Sequence, residues 1–185
     1  MATTHAARDI GNCRQQGLTL LELAVVVAVV AIVAAAAAPS FTALIDARRL
    51  DSAATRLAAD VQLARSEAIA RNRPLRLSVF SGAGATCWIV HSGAAADCRC
   101  SDGAGAVCGG GARVVKSVVL AANERVSVAG NVASIVFDPL HGTSTPTGTL
   151  RVVGARGGAV HHVVNVVGRV RSCSPDGIVP GYSPC

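Results

Sequence analysis

Residues 18–38 read LTLLELAVVVAVVAIVAAAAA, an apolar run of 21 residues with one charge, Glu22. As an α-helix this run spans roughly 30 Å, the hydrocarbon thickness of a bilayer. The preceding residues, 1–17, are polar and carry Arg8, Asp9 and Arg14. A plain membrane anchor does not account for Glu22. A carboxylate inside an apolar span costs about 2.5–3.5 kcal/mol on insertion, so an ionisable group there is a functional candidate. The cheapest partner is a positive charge at the same depth, and a chain cut after Gly17 would place a free amine on Leu18.

Outward from this run, the pattern stays helical from Ser40 to Asn72. Leu50, Ala54, Leu57, Val61, Ala64 and Ala68 recur three or four residues apart and make one apolar face. Arg48, Asp51, Arg56, Asp60 and Arg71 are expected largely on the other faces. Pro74 ends the helix, because the residue before a proline is biased out of the helical region. Beyond it come short β-branched runs separated by Gly, Ser, Asp and Asn: 75–80, 87–91, 113–120, 125–128, 134–137, 149–153 and 159–171. The last is long enough to break at Gly168. The Gly-rich span 94–111 reads as a loop. One long helix followed by many short strands predicts an α+β domain with mainly antiparallel sheets. The expected segments are 1–17 as a leader, 18–38 as a transmembrane helix, 39–73 as its amphipathic half and 74–185 as a β-rich domain.

The composition agrees. Hydrophobic residues make up 51% and aromatics 3%, so Val and Ala must fill the core, which favours sheet. Charged residues are 15%, which excludes an acidic disordered tail or a charged coiled-coil rod. The net charge of +6 permits a polyanionic partner without requiring one.

Gly17-Leu18-Thr19-Leu20-Leu21-Glu22 followed by a long apolar run resembles the prepilin processing signal of type IV pilins and type II secretion pseudopilins. The resemblance implies cleavage by a prepilin peptidase between Gly17 and Leu18, N-methylation of Leu18, and pairing of Glu22 with a neighbouring subunit's amine during filament assembly. Pro39 matches a proline common in this helix, where it removes a donor and is expected to bend or loosen it. A conventional secretory signal ending at Ala34–Ala38 is the rival, but its apolar core is usually 7–15 residues and lacks an internal acid.

The body is similar to the FimT/GspH branch of minor pilins and pseudopilins. The similarity lies in Asp60–Ile69 with Asn72-Arg73-Pro74, in Cys87-Trp88-Ile89-Val90, in Phe137-Asp138-Pro139-Leu140-His141-Gly142, and in Gly168-Arg169-Val170-Arg171. It implies a pilin-like fold and a single-pass inner-membrane protein with a periplasmic domain, incorporated into a pilus or pseudopilus with other subunits. In the FimT type, the closing Gly-Arg-x-Arg segment is implicated in capturing DNA. That assigns Arg169 and Arg171, two residues apart on an expected strand and so on one face, to double-stranded DNA without sequence preference. The structural alternative is charge guarding a sheet edge.

Cys13 falls in the leader. Cys87, Cys98, Cys100, Cys108, Cys173 and Cys185 remain, and six cysteines allow 15 pairings. Proximity favours Cys173 with Cys185, and the other four around the Gly-rich span. The one-residue gap of Cys98-Arg99-Cys100 is narrow for zinc, so disulfides are preferred to a metal. His91, His141, His161 and His162 show no metal spacing, and the adjacent His161 and His162 point to opposite faces of a strand. No phosphate loop, nucleophile elbow or acid pair is present, so neither catalysis nor a cofactor is expected. Three readings follow: a type IV minor pilin with DNA binding as an added activity, a type II pseudopilin, and a secreted binding module.

Overall fold

A computed structural model describes residues 19–82, 85–101 and 105–185. Gly17, Leu18, Cys13 and the rest of the leader lie outside the described residues. Among the described residues one α-helix, α1 (Leu20–Arg71, 52 residues), precedes eleven strands, with a single 3-10 turn at Ala122–Glu124. The described residues divide into two units, the first ending at Phe41 and the second covering 42–185.

In the first unit α1 starts at Thr19, whose Oγ1 accepts from the Glu22 amide at 3.2 Å. A threonine followed three residues later by glutamate is a capping-box sequence, and Glu22 also sits favourably against the positive end of the helix. Leu20, Leu21, Leu23, Val25–Val27, Val29, Val30, Ile32 and Val33 are all exposed, and the most apolar 18-residue window is 0% buried. The helix continues through Pro39, and Ser40 Oγ donates to the Ala37 carbonyl at 2.7 Å.

In the second unit the expected apolar face is the buried one. Leu50, Ala53, Ala54, Leu57, Val61, Ala64 and Ala68 pack into the core. The alanines let the sheets approach closely. The helix stops in a Schellman arrangement: Asn72 adopts φ 48°, its amide donates to Ile69 O, and the Arg73 amide donates to Ala68 O. Pro74 then keeps the chain extended.

The first sheet has the order β5-β2-β1-β7-β8, all neighbours antiparallel. Its strands are β1 (Leu75–Ser81), β2 (Ala85–His91), β5 (Val114–Ala121), β7 (Ser134–Phe137) and β8 (Ser144–Thr145). The second has the antiparallel order β11-β10-β9-β6, from β6 (Val126–Gly130), β9 (Gly148–Gly154), β10 (Ala159–Val164) and β11 (Val170–Cys173). Leu77, Trp88, Val90 and Val118 of the first sheet and Val128, Leu150, Val152 and Val160 of the second share one core with α1. Trp88 and Phe137 are its largest fully buried side chains.

The expected 159–171 strand is two strands, broken at the turn before Arg169, with Gly168 at φ 73°. A Cβ on Gly168 would lie 2.5 Å from the Gly142 carbonyl and 2.9 Å from Arg65 Cδ. Gly142 is itself at φ 63°, and its carbonyl accepts from Arg65 Nε at 2.9 Å. Both glycines are therefore required where two turns close on α1. Gly168→Ala is expected to destabilise the domain by about 2 kcal/mol or more, measurable by urea unfolding.

The 94–111 span departs from the loop that its glycines predict. It holds a hairpin, β3 (Cys98–Ser101) and β4 (Gly105–Cys108). Disulfides join Cys87 to Cys100, Cys98 to Cys108 and Cys173 to Cys185. Cys87, Ile89 and Cys98 form a second small core with Phe80, Ala106, Ala112 and Val119. The hairpin thus covers the face of β2 turned away from Trp88 and Val90, and β2 is buried on both sides. The Cys173–Cys185 bridge folds back a tail whose Tyr182 hydroxyl donates to Asp51 at 3.0 Å.

Candidate functional site

The one described charge in the exposed apolar part of α1 is Glu22, three residues from the Thr19 cap. A carboxylate on an apolar helical surface is costly in hydrocarbon unless a cation lies at the same depth. Capping by Thr19 is the feature that sequence reading missed, although the Thr-x-x-Glu spacing signals it.

Two further acids stand where the sequence pattern does not put them. Periodicity places Asp60 on a polar face of α1, but it is 1% exposed. Its Oδ2 accepts from Trp88 Nε1 at 2.8 Å, and its Oδ1 from Lys116 Nζ at 2.5 Å. Asp46 is also buried, between Arg156 at 3.1 Å and Arg125 at 3.5 Å. Arg156 is therefore held against α1 and cannot serve as a free cation.

Arg169 and Arg171 are both exposed, but not on one strand. Arg171 pairs with Val163 in the β10–β11 ladder, while Arg169 precedes β11 and its amide donates to Asn165 Oδ1 at 2.9 Å. The turn at Gly168 requires this offset. Arg171, His161 and Arg151 stand on the sheet face opposite the core, since His161 is opposite Arg151 and the intervening Val160 and His162 point inward. None of β6, β9, β10 or β11 contains an acidic residue.

His162 is fully buried, with Nδ1 2.8 Å from Ser172 Oγ and Nε2 without a hydrogen bond. Burial lowers its pKa to about 4; the nearby Ala54 backbone opposes the shift, and His161 adds to it. Burial also lowers the pKa of His91, which lies 2.9 Å from Ser78 Oγ. A histidine depressed when folded binds its proton first in the unfolded chain. Its contribution is therefore present above pH 6.5 and is lost as pH falls from 6.5 towards about 4. For His162 that loss is about 3 kcal/mol, to be checked by urea unfolding across this range, with His162→Leu flattening the dependence.

The exposed His141 lies 3.3 Å from Asp138 Oδ1, which also accepts from the Leu140 and His141 amides. Those amides hold the Asp138 carboxyl below its ordinary range. Among the described residues no group of three or more His, Cys, Asp or Glu could hold a metal ion.

The family model described as type II transport protein GspH matches residues 53–168, and that of the prokaryotic N-terminal methylation motif matches 12–38. A crystal structure of the type IV minor pilin FimU of Pseudomonas aeruginosa PAO1 is similar at 18% identity. The match covers 67% of this chain and 87% of that one, with a TM-score of 0.47. No curated protein matches the chain.

Proposed function

This chain belongs to the GspH family and carries the prokaryotic N-terminal methylation motif, and on that premise we propose that it is a minor pilin of a type IV pilus, assembled through its N-terminal helix. The family is one of structural filament subunits, and an enzymatic role is not proposed. The observation that carries assembly is the exposed apolar stretch of α1, which buries nothing in its own fold and contains a single acid. In this reading prepilin peptidase cuts after Gly17, Leu18 becomes the methylated terminus, and Glu22 meets the amine of a neighbouring subunit. The helix crosses the inner membrane once, with the domain in the periplasm.

The test is the mature protein itself. Mass spectrometry of the envelope protein is expected to show methylated Leu18 as the first residue, whereas a start at Pro39 would establish a secreted module. Glu22→Ala is expected to insert as well as the parent or better, because it removes an insertion cost of about 2.5–3.5 kcal/mol. Its co-purification with filaments is expected to fall severalfold. Incorporation at the parental level would show that Glu22 is not the assembly contact.

The acid-free sheet face bearing Arg151, His161 and Arg171, with Arg169 at its border, supports duplex DNA as a further partner. With few exposed aromatics, binding is through phosphates and blind to sequence. Changing Arg169 and Arg171 to alanine is expected to lower the slope of log affinity against log salt by about 2. Absence of DNA binding at low salt would favour the alternative, a pseudopilin of type II secretion whose arginines are solvated edge charges.

A further inference from the structure

The sheet edges of the domain are not treated alike. The free side of β6 is engaged by side chains of the first sheet: the Val128 amide donates to Thr86 Oγ1, and its carbonyl accepts from Ser81 Oγ. Beside β11 lies the disulfide-closed tail, with a bridge between Ser174 and Pro184. β8 has only two residues. β5 is different. It is an eight-residue edge strand, VVKSVVLA, and among the described residues no backbone hydrogen bond reaches it from the side away from β2. Edge strands are normally guarded by proline, charge, a bulge or brevity. β5 has no proline, its one charge, Lys116, is turned to Asp60, and its single bulge lies at its start, where Val115 interrupts the pairing with Val90 and His91 and leaves 116–121 regular.

A second observation lies at the start of the same strand. Arg71, Arg73, Leu75, Ser92, Arg113 and Val115 line a cavity of about 380 Å³. Arg71 is paired with Glu67, but neither Arg73 nor Arg113 has an acidic partner among the described residues. The carboxyl end of α1 offsets only about half a charge. Three arginines therefore line a cavity without acids, and a guanidinium is the side chain suited to binding a carboxylate bidentately. A strand added antiparallel to β5 brings its own carboxyl end to Val114, beside Arg113. The two features thus describe one ligand.

We propose that the free edge of β5 takes up an extended segment of another protein as an added antiparallel strand, with a carboxylate at the end of that segment held in the Arg71–Arg73–Arg113 cavity. Main-chain hydrogen bonds supply the affinity and the arginines fix register and direction. The proposal does not depend on which filament the chain enters.

The test uses the full chain in detergent and a fluorescent peptide alternating Val and Thr and ending in Glu with a free carboxyl. Binding is expected, together with slowed amide exchange in residues 114–121. N-methylation of alternate peptide amides removes the strand hydrogen bonds and is expected to weaken binding about tenfold or more. A Gln-ended, amidated peptide is expected to lose a similar factor, and a Glu-ended, amidated one separates the side-chain carboxylate from the terminal one. Arg73→Ala with Arg113→Ala is expected to reduce the acidic peptide to the level of the amidated Gln peptide. The proposal is overturned if no peptide binds, if the N-methylated peptide binds equally, if exchange in β5 is unchanged, or if removing both carboxylates has no effect. Binding of a short oligonucleotide at the cavity in place of the peptide would assign the arginines to phosphate and also overturn it.

Discussion

Asp60→Ala is expected to remove about 3 kcal/mol of stability, a large share of the roughly 5–15 kcal/mol that a domain of this kind possesses. The carboxylate is fully enclosed and answers two donors on different strands, Trp88 on β2 and Lys116 on β5. Removing it leaves the Trp88 N–H unsatisfied at 0% exposure, where an orphaned donor costs about 1–3 kcal/mol. Lys116 is less penalised, because its side chain is 37% exposed and can turn to solvent. Asp60→Asn keeps an acceptor for the indole but loses the charge, so it is expected to cost less. Lys116→Met is milder still, since the carboxylate retains its bond to Trp88. Trp88 is the only tryptophan, so urea unfolding followed by its fluorescence reports on this cluster directly. A cost below about 1 kcal/mol for Asp60→Ala would mean that the cluster adds nothing beyond packing.

The same three residues show where the sequence is readable and where it is not. The period of Leu50, Ala54, Leu57, Val61, Ala64 and Ala68 identifies the buried face of α1, because apolar spacing is a local property of a helix. Asp60 interrupts that logic: its burial depends on Trp88 and Lys116, 28 and 56 residues away, and no local pattern announces them. The strands around β1, β2, β5 and β9 are legible from β-branched runs. The β3–β4 hairpin is not, because the glycines and alanines of this span have little strand propensity, and there the disulfides and the covered face of β2 hold the chain. A break at Gly168 is signalled by the glycine and the length of the run, but that it takes Arg169 out of the strand depends on contacts with Gly142 and Arg65, which are distant in sequence. The Thr19 cap is written in the Thr-x-x-Glu spacing and is open to a local reading.

Removing both disulfides of the β3–β4 hairpin, by changing Cys87, Cys98, Cys100 and Cys108 to alanine, is expected to give the largest loss of all. Separations of 13 and 10 residues each correspond to about 3 kcal/mol of loop-closure entropy, and their overlap at 98–100 keeps the sum below double. The loss has a definite location. Ile89 is sealed between the sheet and the hairpin, with Phe80, Ala106 and Val119 beside it. An untethered hairpin uncovers that apolar face of β2, while the opposite face remains packed against α1. Amide exchange is therefore expected to accelerate first in β3 and β4, with Trp88 fluorescence unchanged at low denaturant. Changing Cys173 and Cys185 to alanine makes the contrasting case, because their separation of 12 predicts a similar entropic loss. That loss should appear at the tail and at the Tyr182–Asp51 contact, with the hairpin still protected. If both sets of variants instead accelerate exchange throughout the domain, the hairpin is part of a single cooperative core and its role as a separate cover for β2 fails.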